Sequence, residues 1–186
     1  MLASTVPVSV TNRETVLPEN VFIYSRTDLK GRITEANHAF AEISNYSAEE
    51  MIGKPHNLVR HPDMPREAFA DLWRNIQAGR PWQGVVKNRR KDGGFYWVIA
   101  NASPVRENGK VVGYQSIRFK PTREQIRGAE EAYRRIREGD RSLMIVDGNA
   151  VPRRASWVEK ATEWTTQLRL GLILALLAAG TGTAAL

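Results

Sequence analysis

Residues 82–119 read WQGVVKNRRKDGGFYWVIANASPVRENGKVVGYQSIRF, and the fold class follows from this segment. Runs rich in β-branched and aromatic residues indicate three strands, over Trp82–Arg90, Phe95–Val105 and Val111–Phe119. The segments between them, Asp92-Gly93-Gly94 and Glu107-Asn108-Gly109, are typical of β-hairpin turns, because glycine and asparagine accept positive φ angles. The segment therefore predicts three consecutive strands in an antiparallel sheet.

The residues before this segment predict two more strands and several short helices. Val21–Tyr24 and Arg32–Glu35 are β-prone and form a hairpin, and Ser47 and Glu50 have the spacing of a helix-capping box. A longer helix is predicted over Arg66–Ala78, because one helical face carries Phe69, Leu72, Trp73 and Ile76. The order of strands, helices and strands predicts an α+β fold with the helices packed on one face of the sheet.

The residues after Pro121 predict a connecting helix and a membrane segment. Thr122 and Gln125 form a second capping box, and a narrow apolar stripe continues to Ile136. Such a stripe suits a helix that docks on a partner or a second copy, and equally one that packs back on its own domain. Leu170–Leu186 is uncharged and nearly reaches the roughly 20 apolar residues of a membrane span, with a buried core helix as the alternative.

These patterns divide the chain of 186 residues into four parts. We expect a flexible N-terminal arm at 1–18, a sensor domain at 19–120, a helical connector at 121–168, and an incomplete membrane anchor at 169–186. The basic residues before the anchor predict a cytoplasmic domain at the inner membrane, namely Arg153, Arg154, Lys160 and Arg169. We also expect the chain to be a fragment of a longer receptor.

The composition excludes several classes of protein. Hydrophobic residues at 42% allow a packed core, and the absence of cysteine excludes disulfides, iron–sulfur clusters and cysteine nucleophiles. The net charge of +7 is spread along the chain, which favours attraction to an anionic membrane over nucleic-acid recognition. Paired carboxylates, a nucleophile elbow and a phosphate-binding loop are missing from the sequence, so we do not expect an enzyme.

Two segments carry candidate binding residues. Pro55–Pro65 holds His56, Arg60, His61 and Asp63 between prolines, which restrict the chain and favour a preorganised polar site; a helix-capping surface loop is the alternative. On the strand from Trp82, the period of two predicts one shared face, made of Trp82, Gly84, Val86 and Asn88. This face suits a flat heteroaromatic ligand, with Trp82 stacking, Gly84 leaving a gap for the ring and Asn88 supplying hydrogen bonds. The alternative is that Trp82 is ordinary core and Asn88 caps the hairpin.

With these motifs the domain resembles PAS domains, and among them the flavin-binding PAS domain of bacterial aerotaxis (energy-taxis) receptors. The resemblance covers about Asp28 to Arg118 and rests above all on Val-Arg-His-Pro-Asp-Met-Pro at 59–65 and Lys-Asn-Arg-Arg-Lys at 87–91. It implies a PAS fold, with a five-stranded antiparallel sheet and short helices on one face, followed by a connecting helix and a membrane anchor.

The resemblance also implies a function. Members of this family hold FAD without a covalent bond, and the redox state of the flavin follows respiratory electron flow and becomes a chemotaxis signal without enzymatic turnover. The implied FAD contacts are Asn37, Arg60, His61, Asp63 and Trp82, and Asn88 matches an asparagine at the isoalloxazine edge of related flavin domains. The implied partners are a second copy, HAMP and chemoreceptor signalling modules, the chemotaxis kinase complex and the membrane, with no nucleic acid.

Two alternatives to the redox sensor stay open. PAS domains also hold haem, in which case His56 or His61 would be the axial ligand of a gas sensor. A cofactor-free PAS module for interaction or dimerisation is the other alternative. The light-sensing LOV branch is excluded, because its photoadduct requires a cysteine and His56 takes that position here.

Overall fold

The computed structural model describes residues 9–153. Five strands form one antiparallel sheet in the order β2-β1-β5-β4-β3. They are β1 (Ile23–Thr27), β2 (Ile33–Ala36), β3 (Trp82–Arg89), β4 (Phe95–Glu107) and β5 (Lys110–Phe119). The predicted five-stranded antiparallel sheet is confirmed. Strand β1 starts and ends later than predicted, because it pairs with β5 from Ile23 to Thr27.

The helices fill the chain between β2 and β3 and follow β5. They are α1 (His38–Ser44), α2 (Ala48–Met51), a 3-10 turn (His56–Val59), α3 (Arg66–Gln77) and α4 (Arg123–Arg137). Both predicted capping boxes are present, one before α2 and one before α4. The core lies between the first helices and the sheet, and its fully buried side chains include Ile23, Ile33, Phe40, Met51, Tyr96 and Val98.

The described part of the predicted flexible arm runs along the β3–β4 hairpin. The Thr11 and Thr15 amides donate to the carbonyls of Gly93 and Phe95 at 2.9 and 2.8 Å, and Leu17 is buried in the core. A single stretch that pairs with a distant turn leaves no periodic pattern in the sequence. Its attachment was therefore missed, and residues 1–8 of the arm lie outside the described residues.

Helix α4 packs back on its own domain, which was one of the two predicted possibilities. Tyr133 is buried and its hydroxyl donates to the Val85 carbonyl at 2.7 Å, on the free edge of β3. The start of the helix is joined to the N-terminal segment, since Arg123 donates to both carboxylate oxygens of Glu14 at 2.7 and 2.8 Å. Covering a sheet edge in this way prevents it from pairing with another chain.

A hairpin of β6 (Leu143–Val146) and β7 (Asn149–Pro152) comes after α4, where the sequence predicted only a mixed connector. Its turn residues Asp147 and Gly148 have φ angles of 48° and 81°. An Asp-Gly pair between apolar runs is a hairpin signal, so the element could have been predicted. The rest of the predicted connector and the predicted anchor at 169–186 lie outside the described residues. Within residues 9–153, no helix combines the length and apolar character needed to cross a bilayer.

Candidate functional site

A cavity of about 270 Å³ lies between the helices and the inner face of the sheet. The strands contribute alternate residues to its floor, where Ala100, Ala102 and Ser116 leave space because their side chains are short. The 3-10 turn and α3 form its cover, mainly through Val59, Phe69, Leu72, Trp73 and Ile76. Apolar walls with a few converging polar groups are typical of a small-molecule site.

The polar groups of the cavity are headed by Arg118, which lies on β5 and is 4% exposed. Its Nη2 atom donates to the Ser25 hydroxyl at 2.9 Å and to His56 Nε2 at 2.7 Å. Within residues 9–153, Nη1 has no hydrogen-bond partner. Burial lowers the pKa of Arg118 to about 10, so its charge persists at neutral pH. A buried cation without an anionic partner costs several kcal/mol, which points to a ligand with acceptor atoms.

His56 is fixed in one protonation state by this arginine. A guanidinium can only donate, so Nε2 of His56 must accept and its proton must sit on Nδ1. Burial and, secondly, the Arg118 charge lower the pKa of His56 to about 3. The imidazole is therefore neutral, and the lone pair that an iron atom would need is already used.

Two of the six predicted contacts, Arg60 and Asn88, line the cavity. Asn88 is buried on the inner face of β3, and the backbones of the two residues form an antiparallel bridge. The Arg60 guanidinium lies over the Phe69 ring, 3.9 Å from its centroid. The structure thus brings an amide and a cation together at one side of the cavity.

His61 and Asp63 lie outside the cavity, in a cluster on the other side of β3. Asp63 accepts from the Lys87 ammonium at 2.6 Å, and His61 Nδ1 accepts from the Asp63 amide at 3.1 Å. Burial and, secondly, the Lys87 charge lower the pKa of His61 to about 4. Arg137 of α4 donates to the Asp63 carbonyl, so the cluster joins the loop to the connecting helix.

Trp82 and Asn37 also have structural partners. The Trp82 indole is buried and donates to Asp71 of α3 at 2.8 Å, and its ring covers Gly84, where an added Cβ would come within 2.4 Å. The gap predicted at Gly84 for a ligand ring is therefore filled by Trp82 itself, and that prediction is wrong. Asn37 caps α1, since its side-chain oxygen accepts from the amides of Phe40 and Tyr24, both at 3.0 Å.

Sequence reasoning missed Arg118 and Ser25 as cavity residues. On β5 the inner face carries Ser116 and Arg118, whereas Ile117 and Phe119 are 36% and 48% exposed on the outer face. Alternation alone cannot tell which face is buried, and the apolar residues favoured the wrong one. The signal that the sequence carried was a set of polar residues on one face of two strands, namely Ser25 on β1 and Ser116 and Arg118 on β5.

The sheet, its helical cover and the enclosed cavity are the architecture of a PAS domain. A family model described as "PAS fold" matches residues 33–118, and this part of the chain has that fold. The chain as a whole is similar to the aerotaxis receptor of Escherichia coli (strain K12), at 44% identity over 174 residues. This alignment covers 91% of the chain and 34% of the receptor, so the chain spans about a third of that relative.

Solved structures agree on the fold. The PAS domain of a Colwellia psychrerythraea protein matches with a TM-score of 0.50 and 26% identity, over 54% of this chain and 86% of that one. A light-oxygen-voltage domain studied with a flavin analogue matches with a TM-score of 0.51 and 21% identity, over 64% of this chain and 87% of that one. At this level of identity the second likeness establishes the fold alone.

Proposed function

We propose that this chain is the sensor region of an aerotaxis-type receptor, and that its cavity binds the isoalloxazine ring of FAD. The flavin's redox state would be the signal, and no catalytic turnover is involved. The observation that carries the proposal is the buried Arg118, whose Nη1 atom faces no acceptor among residues 9–153. The similarity to an aerotaxis receptor along 91% of the chain supports the same assignment.

The residues around the cavity fit a flavin ring. The Asn88 amide offers one donor and one acceptor, as the mixed edge of an isoalloxazine requires. Trp73 and Tyr114 meet edge to face, with ring centroids 5.5 Å apart, and form part of an aromatic wall. When bound, a flavin supplies reversible electron uptake. Arg118 would stabilise negative charge on a ring placed beside it, and so favour reduction.

The size of the cavity favours a ligand that is only partly enclosed. A volume of about 270 Å³ lies just below the usual range for small-molecule pockets and is too small for a whole dinucleotide. The cavity is also lined by Arg60, which is half-buried, and by Lys30, which is exposed. These cations would favour the diphosphate of FAD outside the cavity, which is why we propose FAD as the flavin.

The two alternatives have less support. Haem would need a free imidazole nitrogen in the cavity, but His56 Nε2 accepts from Arg118 and His61 is not among the cavity residues. A cofactor-free interaction module would leave the buried Arg118 charge with only neutral partners, namely Ser25, His56 and the Phe40 ring 4.8 Å away, and with no anion. Neither alternative explains the arrangement around Arg118.

We further propose the setting that the resemblance implies. The chain would act as a homodimer at the cytoplasmic face of the inner membrane. Its output would pass through the connector to HAMP and chemoreceptor signalling modules, and from there to the chemotaxis kinase complex.

The decisive experiment is the visible spectrum of the purified chain before and after dithionite, with chromatography of the cofactor released by denaturation. We expect flavin bands that bleach on reduction, and FAD in the released fraction. A Soret band would replace the proposal by the haem alternative. A colourless protein that takes up no added FAD would leave only the interaction module.

A further inference from the structure

A buried carboxylate joins three parts of the molecule outside the cavity. Asp71 lies on α3 and is 1% exposed. Its Oδ2 atom accepts from the Trp82 indole and from the Gly148 amide, both at 2.8 Å, and Oδ1 accepts from Arg74 at 3.0 Å. One side chain thus connects α3, β3 and the tip of the β6–β7 hairpin.

The hairpin tip fits directly against the backbone of β3. An added Cβ on Gly148 would lie 1.7 Å from the Gln83 carbonyl oxygen and 3.1 Å from the Gly84 Cα. No side chain can replace that hydrogen, and the φ angle of 81° also favours glycine. Behind the tip, Ile145 is buried in the core. The hairpin is therefore packed against β3, and only glycine fits at position 148 of its tip.

Helix α3 has the cavity on its opposite side. Phe69, Leu72, Trp73 and Ile76 all line the cavity, and Leu72 directly follows Asp71 in the sequence. A shift of this helix would therefore move the carboxylate that holds the hairpin tip. Either the hairpin moves together with α3, or the hydrogen bond from the Gly148 amide to Asp71 breaks.

We infer that Asp71 is a positioning residue that couples the cavity helix to the β6–β7 hairpin, so that changes inside the cavity alter how firmly the hairpin is docked. The hairpin is the last element of the described chain before residue 154, so this docking would regulate the residues C-terminal to the hairpin. The signal that this coupling would transmit is a change in the redox state of the flavin, and in this respect the inference rests on the proposed function. The Asp71 contacts themselves do not depend on flavin binding.

The first test is hydrogen exchange of residues 143–152, measured by mass spectrometry in the full chain. Asp71→Ala removes the oxygen that accepts from both the Trp82 indole and the Gly148 amide, so we expect exchange to rise about tenfold. Gly148→Ala should produce a comparable rise, because its added Cβ clashes with the Gln83 carbonyl and separates the hairpin tip from β3. Gly128→Ala is the control, because a Cβ added at Gly128 meets open space.

The second test perturbs the cavity without using a ligand. Ala102→Leu enlarges a side chain of the cavity floor, and we expect it to raise exchange in residues 143–152 of the wild-type chain but to add nothing in Asp71→Ala. Additive effects, or an unchanged hairpin in either single variant, would overturn the inference. A protein that binds no flavin would overturn the proposed function and leave this result standing, so the two failures can be told apart.

Discussion

Arg118 gives the cavity a charge that no carboxylate balances within residues 9–153. If that charge holds a flavin, Arg118→Met should weaken FAD binding by about ten- to a hundredfold, as expected for the loss of a charge-assisted hydrogen bond. Titration of the flavin-free protein with FAD, followed by fluorescence, measures the change. Arg118→Lys should recover part of the affinity, and Arg26→Met, at an exposed ion pair with Glu35, should have no effect. Unchanged binding in Arg118→Met would remove the main support for the proposed site.

The structure and the resemblance assign different roles to Asn37, and a substitution at this residue can distinguish them. The resemblance implies an FAD contact, whereas the structure makes Asn37 the cap of α1 and a link to β1. Asn37→Ala should lower the free energy of unfolding by about 1–2 kcal/mol, since caps of this kind contribute that much, and should change FAD affinity less than twofold. Urea unfolding and flavin titration measure the two quantities. Asn37→Asp keeps the accepting oxygen but loses the donor to the Phe22 carbonyl at 3.0 Å, so it should recover only part of the lost stability. A stable Asn37→Ala protein that loses flavin would favour the direct contact.

The buried histidines predict a loss of stability in mild acid. The pKa values of His56 and His61 are lowered to about 3 and about 4, against about 6.5 in an unfolded chain. Between pH 6.5 and 4 the unfolded state therefore binds more protons, and the free energy of unfolding falls as the pH falls. Each histidine contributes up to about 1.4 kcal/mol per pH unit.

Urea unfolding at pH 7.5, 6.0 and 5.0 measures this dependence above the range in which most carboxylates titrate. His56→Gln should reduce the slope by up to one histidine's share. His38→Gln, on the exposed surface of α1, controls for the loss of an imidazole elsewhere. An equal slope in wild type and His56→Gln would mean that His56 is not held neutral by Arg118 and burial.

At the scale of elements, those with a local sequence signal were predicted well. Those that depend on contacts with residues distant in sequence were predicted poorly. The strands from Trp82 to Phe119 followed from alternation and glycine turns, and α3 followed from one apolar face. Residues 11–17 were missed because their partner is a hairpin about 80 positions away. The β6–β7 hairpin was missed even though its Asp-Gly turn was visible in the sequence.

The candidate site was predicted only in part, for a related reason. Sequence pattern found Asn88 because a strand's period fixes which residues share a face, and Arg60 lies in a distinctive loop. The same period could not reveal that Trp82 turns its ring over Gly84, because that depends on the side-chain partner Asp71. Arg118 was missed because its role depends on where its strand lies in the sheet.

At the scale of the whole molecule, the elements after the sheet protect the edge strand β3. Tyr133 of α4 bonds to the Val85 carbonyl, and the hairpin tip covers Gln83. A chain ending at residue 120 would lose both covers and expose an unpaired strand, so we expect it to self-associate. Light scattering after gel filtration should show larger species for this chain than for one ending at residue 153. Equal masses for the two chains would mean that the edge is protected by something else.

The ion pair between Glu14 and Arg123 joins the segment before β1 to the start of α4, so the two segments that flank the five-stranded sheet meet at one place. A domain whose ends meet can be inserted into another chain, or reopened at a new point, without stretching its own backbone. A short linker between these two segments should permit circular permutants that open at the Asn108-Gly109 turn, away from the linker and from the cavity residues, with β3 left uncovered as in the chain ending at residue 120. In evolutionary terms this arrangement favours insertion of the domain into different proteins, because insertion does not require its core to be repacked.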